Sequence, residues 1–127
     1  MTFTPYPHME IVSPIAQHAE WLTRLREHVY GSGDLNVATT IRHDACDLGR
    51  WLRNEAASYR NVPEYEAANK AHIHFHRRAA YVVALVAAGH RTEAVRELEL
   101  DGPLRRASQE LVQSLRELQA KMTDIQS

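Results

Sequence analysis

The stretch Leu104–Ile125, LRRASQELVQSLRELQAKMTDI, decides the fold class. Leu104, Ser108, Leu111, Leu115, Leu118, Met122 and Ile125 recur at alternating steps of four and three, the interval that returns a residue to the same side of an α-helix. Charged, amide and small residues occupy most of the positions between them. The resulting stripe is narrow, like the seam of a coiled coil, and it needs partner helices to cover it.

Three earlier segments repeat this rhythm. The first gives Ile11, Ile15, His18, Leu22, Leu25 and Val29; the second Val37, Ile41, Ala45, Leu48 and Leu52; the third Tyr65, Ala68, His72, His76, Ala79, Val83 and Val86. Turn signals separate them. Gly31-Ser32-Gly33 is a break, with Asp34 or Asn36 able to cap the second segment. Asn61-Val62-Pro63 is another, with Pro63 suited to the first helical position. Gly89 is a natural helix stop, and Gly102-Pro103 precedes the last segment. A short extra helix is expected over Arg91 to Leu100. No stretch shows strand-like alternation. The expectation is all-α: an antiparallel four-helix bundle with a short extra helix, one domain over residues 1–127 with its core at about 9–125. The small residues Ala67, Ala68, Ala71, Ala79 and Ala80 would let the third helix approach a neighbour closely.

Composition agrees. The 127 residues are 44% hydrophobic and 24% charged, with 5 Gly and 5 Pro, which argues against disorder and is long enough for a core without disulfide staples. A net charge of −1 supplies no basic field for nucleic acid, and Arg77-Arg78 and Arg105-Arg106 read as solvated helix faces. The longest uncharged run, Ala79 to Gly89, is too short to span a bilayer, so no membrane insertion is expected. Met1 to Glu10 lacks the basic start and apolar run of a signal peptide. Cys46 is the single cysteine, which rules out an intrachain disulfide and fits a reducing, cytoplasmic setting.

The chemistry lies where the stripes are interrupted. His18, His72 and His76 stand where apolar residues are expected, and a buried imidazole without a partner costs roughly 1–3 kcal/mol. His72 and His76 are one turn apart on one face, so their rings can converge on one ion. His74 points about 200° away from His72 and suits that site poorly. Cys46 lies at the edge of the second stripe. Alone, a buried cysteine is a small hydrophobe and a histidine pair is ordinary packing. Together, three imidazoles and a thiolate from three helices suit tetrahedral zinc.

The surrounding residues are more specific still. Cys46-Asp47-Leu48-Gly49-Arg50-Trp51-Leu52 reads C-x-L-G-x-W-L; His18-Ala19-Glu20-Trp21 precedes it as H-x-x-W, and His72-Ile73-His74-Phe75-His76 comes after it as H-x-x-x-H. This pattern closely resembles the chemoreceptor zinc-binding (CZB) domain family. Arg78-Ala79-Ala80, Val82-Val83, Ala88-Gly89, Glu93-Ala94, Gly102 and Ser108 look like its downstream framework, extending the resemblance from about Ile15 to Leu118.

The resemblance implies a four-helix bundle that forms a homodimer and binds zinc through His18, Cys46, His72 and His76. It implies a sensory module for zinc or for oxidants such as hypochlorous acid, attached to chemotaxis receptors or diguanylate cyclases. This chain shows no cyclase signature and no long receptor hairpin; a free-standing sensor acting on a separate output partner and an excised domain of such a protein are both open. Four protein ligands leave no open position for an activated water, and no enzyme activity is expected. Asp44, Asp47 and Glu20 are candidates to orient the ligand rings, with solvation the alternative. Gly49 reads as a point of close helix approach, and Trp21 and Trp51 as packing. Two rivals stand beside this reading: a hemerythrin-like di-iron protein, for which His43 and Asp47 give an H-x-x-x-D step, and a metal-free helical interaction module.

Overall fold

The computed structural model describes residues 7–31, 35–40, 42, 47–54 and 56–126. The helices run in the order α1 (Pro7–Val29), α2 (Val37–Thr40), α3 (Asp47–Arg53), a 3-10 turn (Ala57–Tyr59), α4 (Pro63–Ala87), α5 (Arg91–Glu97) and α6 (Pro103–Gln126). No strand occurs among the described residues. Four helical segments pack around one core, with α5 as the short extra helix, so the expected all-helical architecture is the observed one.

The sequence signals act as anticipated at the ends of α4. Pro63 occupies the first turn after an extended Val62, where its missing N–H is not needed. At the other end Gly89 adopts φ +84°. His90 N–H bonds to the Leu85 carbonyl at 2.8 Å and Gly89 N–H to that of Val86 at 3.1 Å, the paired bonds of a Schellman stop.

Helix direction is fixed by partner contacts. Thr40 meets His76, whereas Leu52 further along accepts the Tyr65 hydroxyl at 2.9 Å. Partners retreat along α4 as the chain advances, so the α2–α3 strip runs antiparallel to α4. The tight α5 connection then returns the chain along α4 as α6, the most extensive helix pairing in the fold.

The seam of α6 is buried throughout its described length: Leu104, Ser108, Leu111, Leu115, Leu118 and Met122. It meets Leu25 and Val29 of α1, Leu48, Trp51 and Leu52 of α3, and Phe75, Ala79, Val82 and Val83 of α4 in one cluster. Each fully buried Leu contributes about 1.5–3 kcal/mol relative to exposure. On α4 the buried face is wider than the expected stripe, because α2, α5 and α6 all pack against it.

The second segment departs from the expectation of one continuous helix. It is helical at Val37–Thr40 and at Asp47–Arg53, and Arg42 between them is not. Thr40 explains the end of α2. Its hydroxyl bonds back to the Asn36 carbonyl at 2.6 Å, and its own carbonyl accepts from the ring of His76. Local side-chain bonds of this kind compete with the helical ladder.

Two contacts fix α5. Arg78 of α4 grips the buried Glu97 carboxylate with Nε and Nη2, the first at 2.7 Å, a fork geometry stronger than a single ion pair. Arg91 donates to the Val29 carbonyl at the end of α1. Gly102 lies against the end of α5, where an added Cβ would enter the carbonyl oxygens of Arg96 and Glu97. Among the described residues, no helix is long and apolar enough to cross a membrane.

Candidate metal centre

The three stripe histidines are all buried, with relative exposures of 4% for His18, 1% for His72 and 2% for His76. α4 places His72 and His76 one turn apart, and their rings meet edge-on with centroids 4.7 Å apart. α1 brings His18 to the same region of the core. Its ring lies edge-on against Phe75 at 4.3 Å, and Phe75 touches His76 at 5.6 Å. Trp21, one turn after His18, reaches the His76 ring at 5.8 Å and carries Arg24 over its own ring.

Two rings have identified hydrogen-bond partners. Nδ1 of His76 lies 2.8 Å from the Thr40 carbonyl oxygen. A carbonyl only accepts, so this bond sets Nδ1 as the protonated nitrogen and puts the lone pair on Nε2. Nε2 of His18 lies 2.8 Å from the Ser108 hydroxyl, contributed by the α6 seam. Burial, helped by repulsion from His76, pushes the His18 pKa down to about 4, which keeps the ring neutral at physiological pH.

The structure therefore unites His72 and His76 and sets His18 beside them through Phe75. Among the described residues, no three His, Cys, Asp or Glu side chains are grouped tightly enough to hold one ion. Cys46, the expected fourth ligand, lies outside the described residues, as do His43 and Asp44. Asp47 begins α3. Glu20 and His74 are exposed, and His74 lines an open groove with Arg106. Gly49 and Trp51 are buried on α3, in keeping with roles in close packing.

Zinc requires neutral imidazoles and takes nitrogen and thiolate donors. A neutral His18 from α1 and the His72–His76 pair of α4, with Nδ1 of His76 bonded to a backbone carbonyl, are the nitrogen donors such a centre needs. On this ground the residues fit the ion.

Thr40 and Ser108 are the parts of the site that sequence reasoning did not assign. Ser108 carried a signal: it interrupts a stripe of Leu and Met just as His18 interrupts its own. Thr40 acts through a backbone atom, which has no signature in residue type.

The family model described as the chemoreceptor zinc-binding domain, CZB, covers residues 18–83, just over half of the chain. No curated protein and no solved structure matches significantly.

Proposed function

The chain belongs to the chemoreceptor zinc-binding domain family, a zinc-binding sensory type rather than a catalytic one, and from that premise we propose that it is a sensor with a zinc centre made by His18, Cys46, His72 and His76. The observation that carries this reading is the buried His72–His76 pair with the His76 tautomer set by Thr40. The chemistry supplied by bound zinc is a cross-link between α1, α4 and the segment leading into α3.

In this reading zinc takes the three imidazoles in their neutral form, and Thr40 and Phe75 limit how the rings of His76 and His18 turn. Cys46, as thiolate, is the reactive member. Hypochlorous acid would oxidise its sulfur by two electrons to sulfenic acid, with chlorine reduced to chloride. The sulfur would then be a weaker donor, and the segment preceding α3 would lose its tie to α4. That change would be read by a chemotaxis or diguanylate cyclase partner, with the sensor acting as a homodimer in the cytoplasm.

The reading is tested on protein purified without a histidine tag, with metals quantified per chain in wild type, Cys46→Ala and His72→Ala. About one zinc in the wild type and much less in both variants is expected. Equal zinc in all three, or none after zinc is supplied, would overturn the site. Iron with visible absorbance would instead point to the di-iron alternative. Against that alternative, Glu97 is the one acidic residue buried as a whole among the residues with described side chains, and Arg78 already holds it.

A further inference from the structure

We propose that the outer groove between α4 and α6 binds a small organic oxyanion, a carboxylate or phosphate that also carries a hydroxyl or ammonium group, anchored by Arg106 and His74. The site stands apart from the zinc-centre reading. Lys70 and His74 are exposed on α4, whereas His72 and His76 are buried on its other side.

Helix periodicity builds the groove. Lys70 and His74, one turn apart on α4, line one wall; Arg106 and Glu110, one turn apart on α6, line the other. The short side chains of Ala67 and Ala71 leave room between them. The hollow measures about 670 Å³, within the range of small-molecule sites. His18 sets the alignment of the walls, because its ring lies against Phe75 of α4 and bonds to Ser108 of α6. His74 and Arg106, one and two residues from those contacts, therefore belong to the same end of the groove. Since α6 runs back along α4, Glu110 lies further in, toward Ala71.

Charge decides the ligand. Among the described residues, the side chains of Arg106, His74 and Glu110 have no ion-pair or hydrogen-bond partner. The neighbouring cations are engaged: Arg105 donates to the Leu98 carbonyl at 3.3 Å, and Lys70 pairs with Glu66 at 3.1 Å. A guanidinium presents a planar fork that takes a carboxylate or phosphate through two bonds, and an imidazole N–H beside it adds a third. Glu110 repels a bare polyanion and accepts from a donor at the other end of the ligand. A cationic end and an acceptor one turn away thus select an oxyanion bearing its own hydroxyl or ammonium. Water and salt screen contacts in an open groove, so binding should weaken as ionic strength rises.

The test titrates the whole chain, labelled with nitrogen-15 and free of metal, with inorganic phosphate, glycerol phosphate and malate at low salt. Saturable shifts confined to residues 67–74 and 106–114 are expected, tighter for glycerol phosphate or malate than for inorganic phosphate. The better of those two identifies the oxyanion. Arg106→Ala should weaken binding about 5–10-fold, and Arg106→Lys should recover only part of the loss, since it keeps the charge without the fork. Glu110→Gln should tighten inorganic phosphate and weaken glycerol phosphate or malate, opposite signs that a folding defect does not produce. Shifts that rise linearly with concentration, shifts spread over the whole surface, or an Arg106→Ala protein that titrates like wild type would overturn the proposal. So would a response to a glutamate-rich peptide with none to the three small anions, which would mark the groove as a protein-docking surface. Metal content does not enter the readout, so failure of the zinc centre would leave this result standing.

Discussion

Nδ1 of His76 lies 2.8 Å from the carbonyl oxygen of Thr40, which joins the histidine pair of α4 to the end of α2 through a backbone atom. Replacing His76 leaves that buried carbonyl without its ring partner. In zinc-free protein, His76→Ala is therefore expected to cost about 2–4 kcal/mol, combining a cavity with a stranded acceptor. His74→Ala, two residues away on the exposed face, is expected to stay within about 0.5 kcal/mol. Urea unfolding of both variants with a chelator present measures the difference. Equal costs would mean that the bond carries no weight.

Zinc is not expected to be what makes the chain fold. The core holds Leu25, Leu52, Phe75, Leu104, Leu111, Leu115 and Leu118, each at most 1% exposed, an apolar interior that a zinc finger lacks. Stripping the metal with a strong chelator should leave the far-ultraviolet helical signal close to that of the loaded protein while lowering the melting temperature. Collapse of the helical signal on chelation would contradict this.

Much of this was legible in residue order because helix burial is periodic and local. The stripe from Leu104 to Met122 is buried without exception, and Pro63 and Gly89 bound α4 as their backbone preferences dictate. The same periodicity exposed His18, His72 and His76 as polar groups in apolar positions. It could not reveal Thr40, whose contribution is a carbonyl that every residue possesses. The interruption at Arg42 was hidden for a related reason: Val37, Ile41, Ala45 and Leu48 keep helical spacing, while a tertiary bond from His76 claims the carbonyl of Thr40. Burial of Phe75 and Val82 outside the α4 stripe also escaped the pattern, because it depends on how many neighbours α4 has.

Gly102 and Gly89 separate two reasons for glycine. Gly89 has φ +84° and open space around its Cβ position, so Gly89→Ala should cost about 1 kcal/mol of backbone strain. At Gly102 the obstacle is space: a Cβ would overlap the carbonyl oxygens of Arg96 and Glu97, which are backbone and cannot turn aside. Gly102→Ala should cost more, about 1–3 kcal/mol or above, by forcing α5 and α6 apart. Thermal melts of the two variants rank them, and the reverse order would show that the end of α5 yields easily.

Acid should weaken the zinc-free fold through His18. Burial, and then repulsion from His76, hold its pKa at about 4 against an ordinary value of 6.5. The groups facing it are the His76 ring from α4 and the Ser108 hydroxyl from α6. The depressed pKa means that, between these two values, the unfolded chain binds a proton that the folded chain refuses, so stability rises with pH across that window. The stabilisation is complete above about pH 6.5 and is lost as pH falls toward 4. The shift amounts to a loss on the order of 3 kcal/mol from this group. Carboxylates titrate in part of the same range, so the measurement is a difference: urea midpoints of zinc-free wild type and His18→Gln from pH 7 to pH 4. Wild type should lose stability more steeply than the variant, and parallel curves would show that His18 accepts its proton as readily in the fold as outside it.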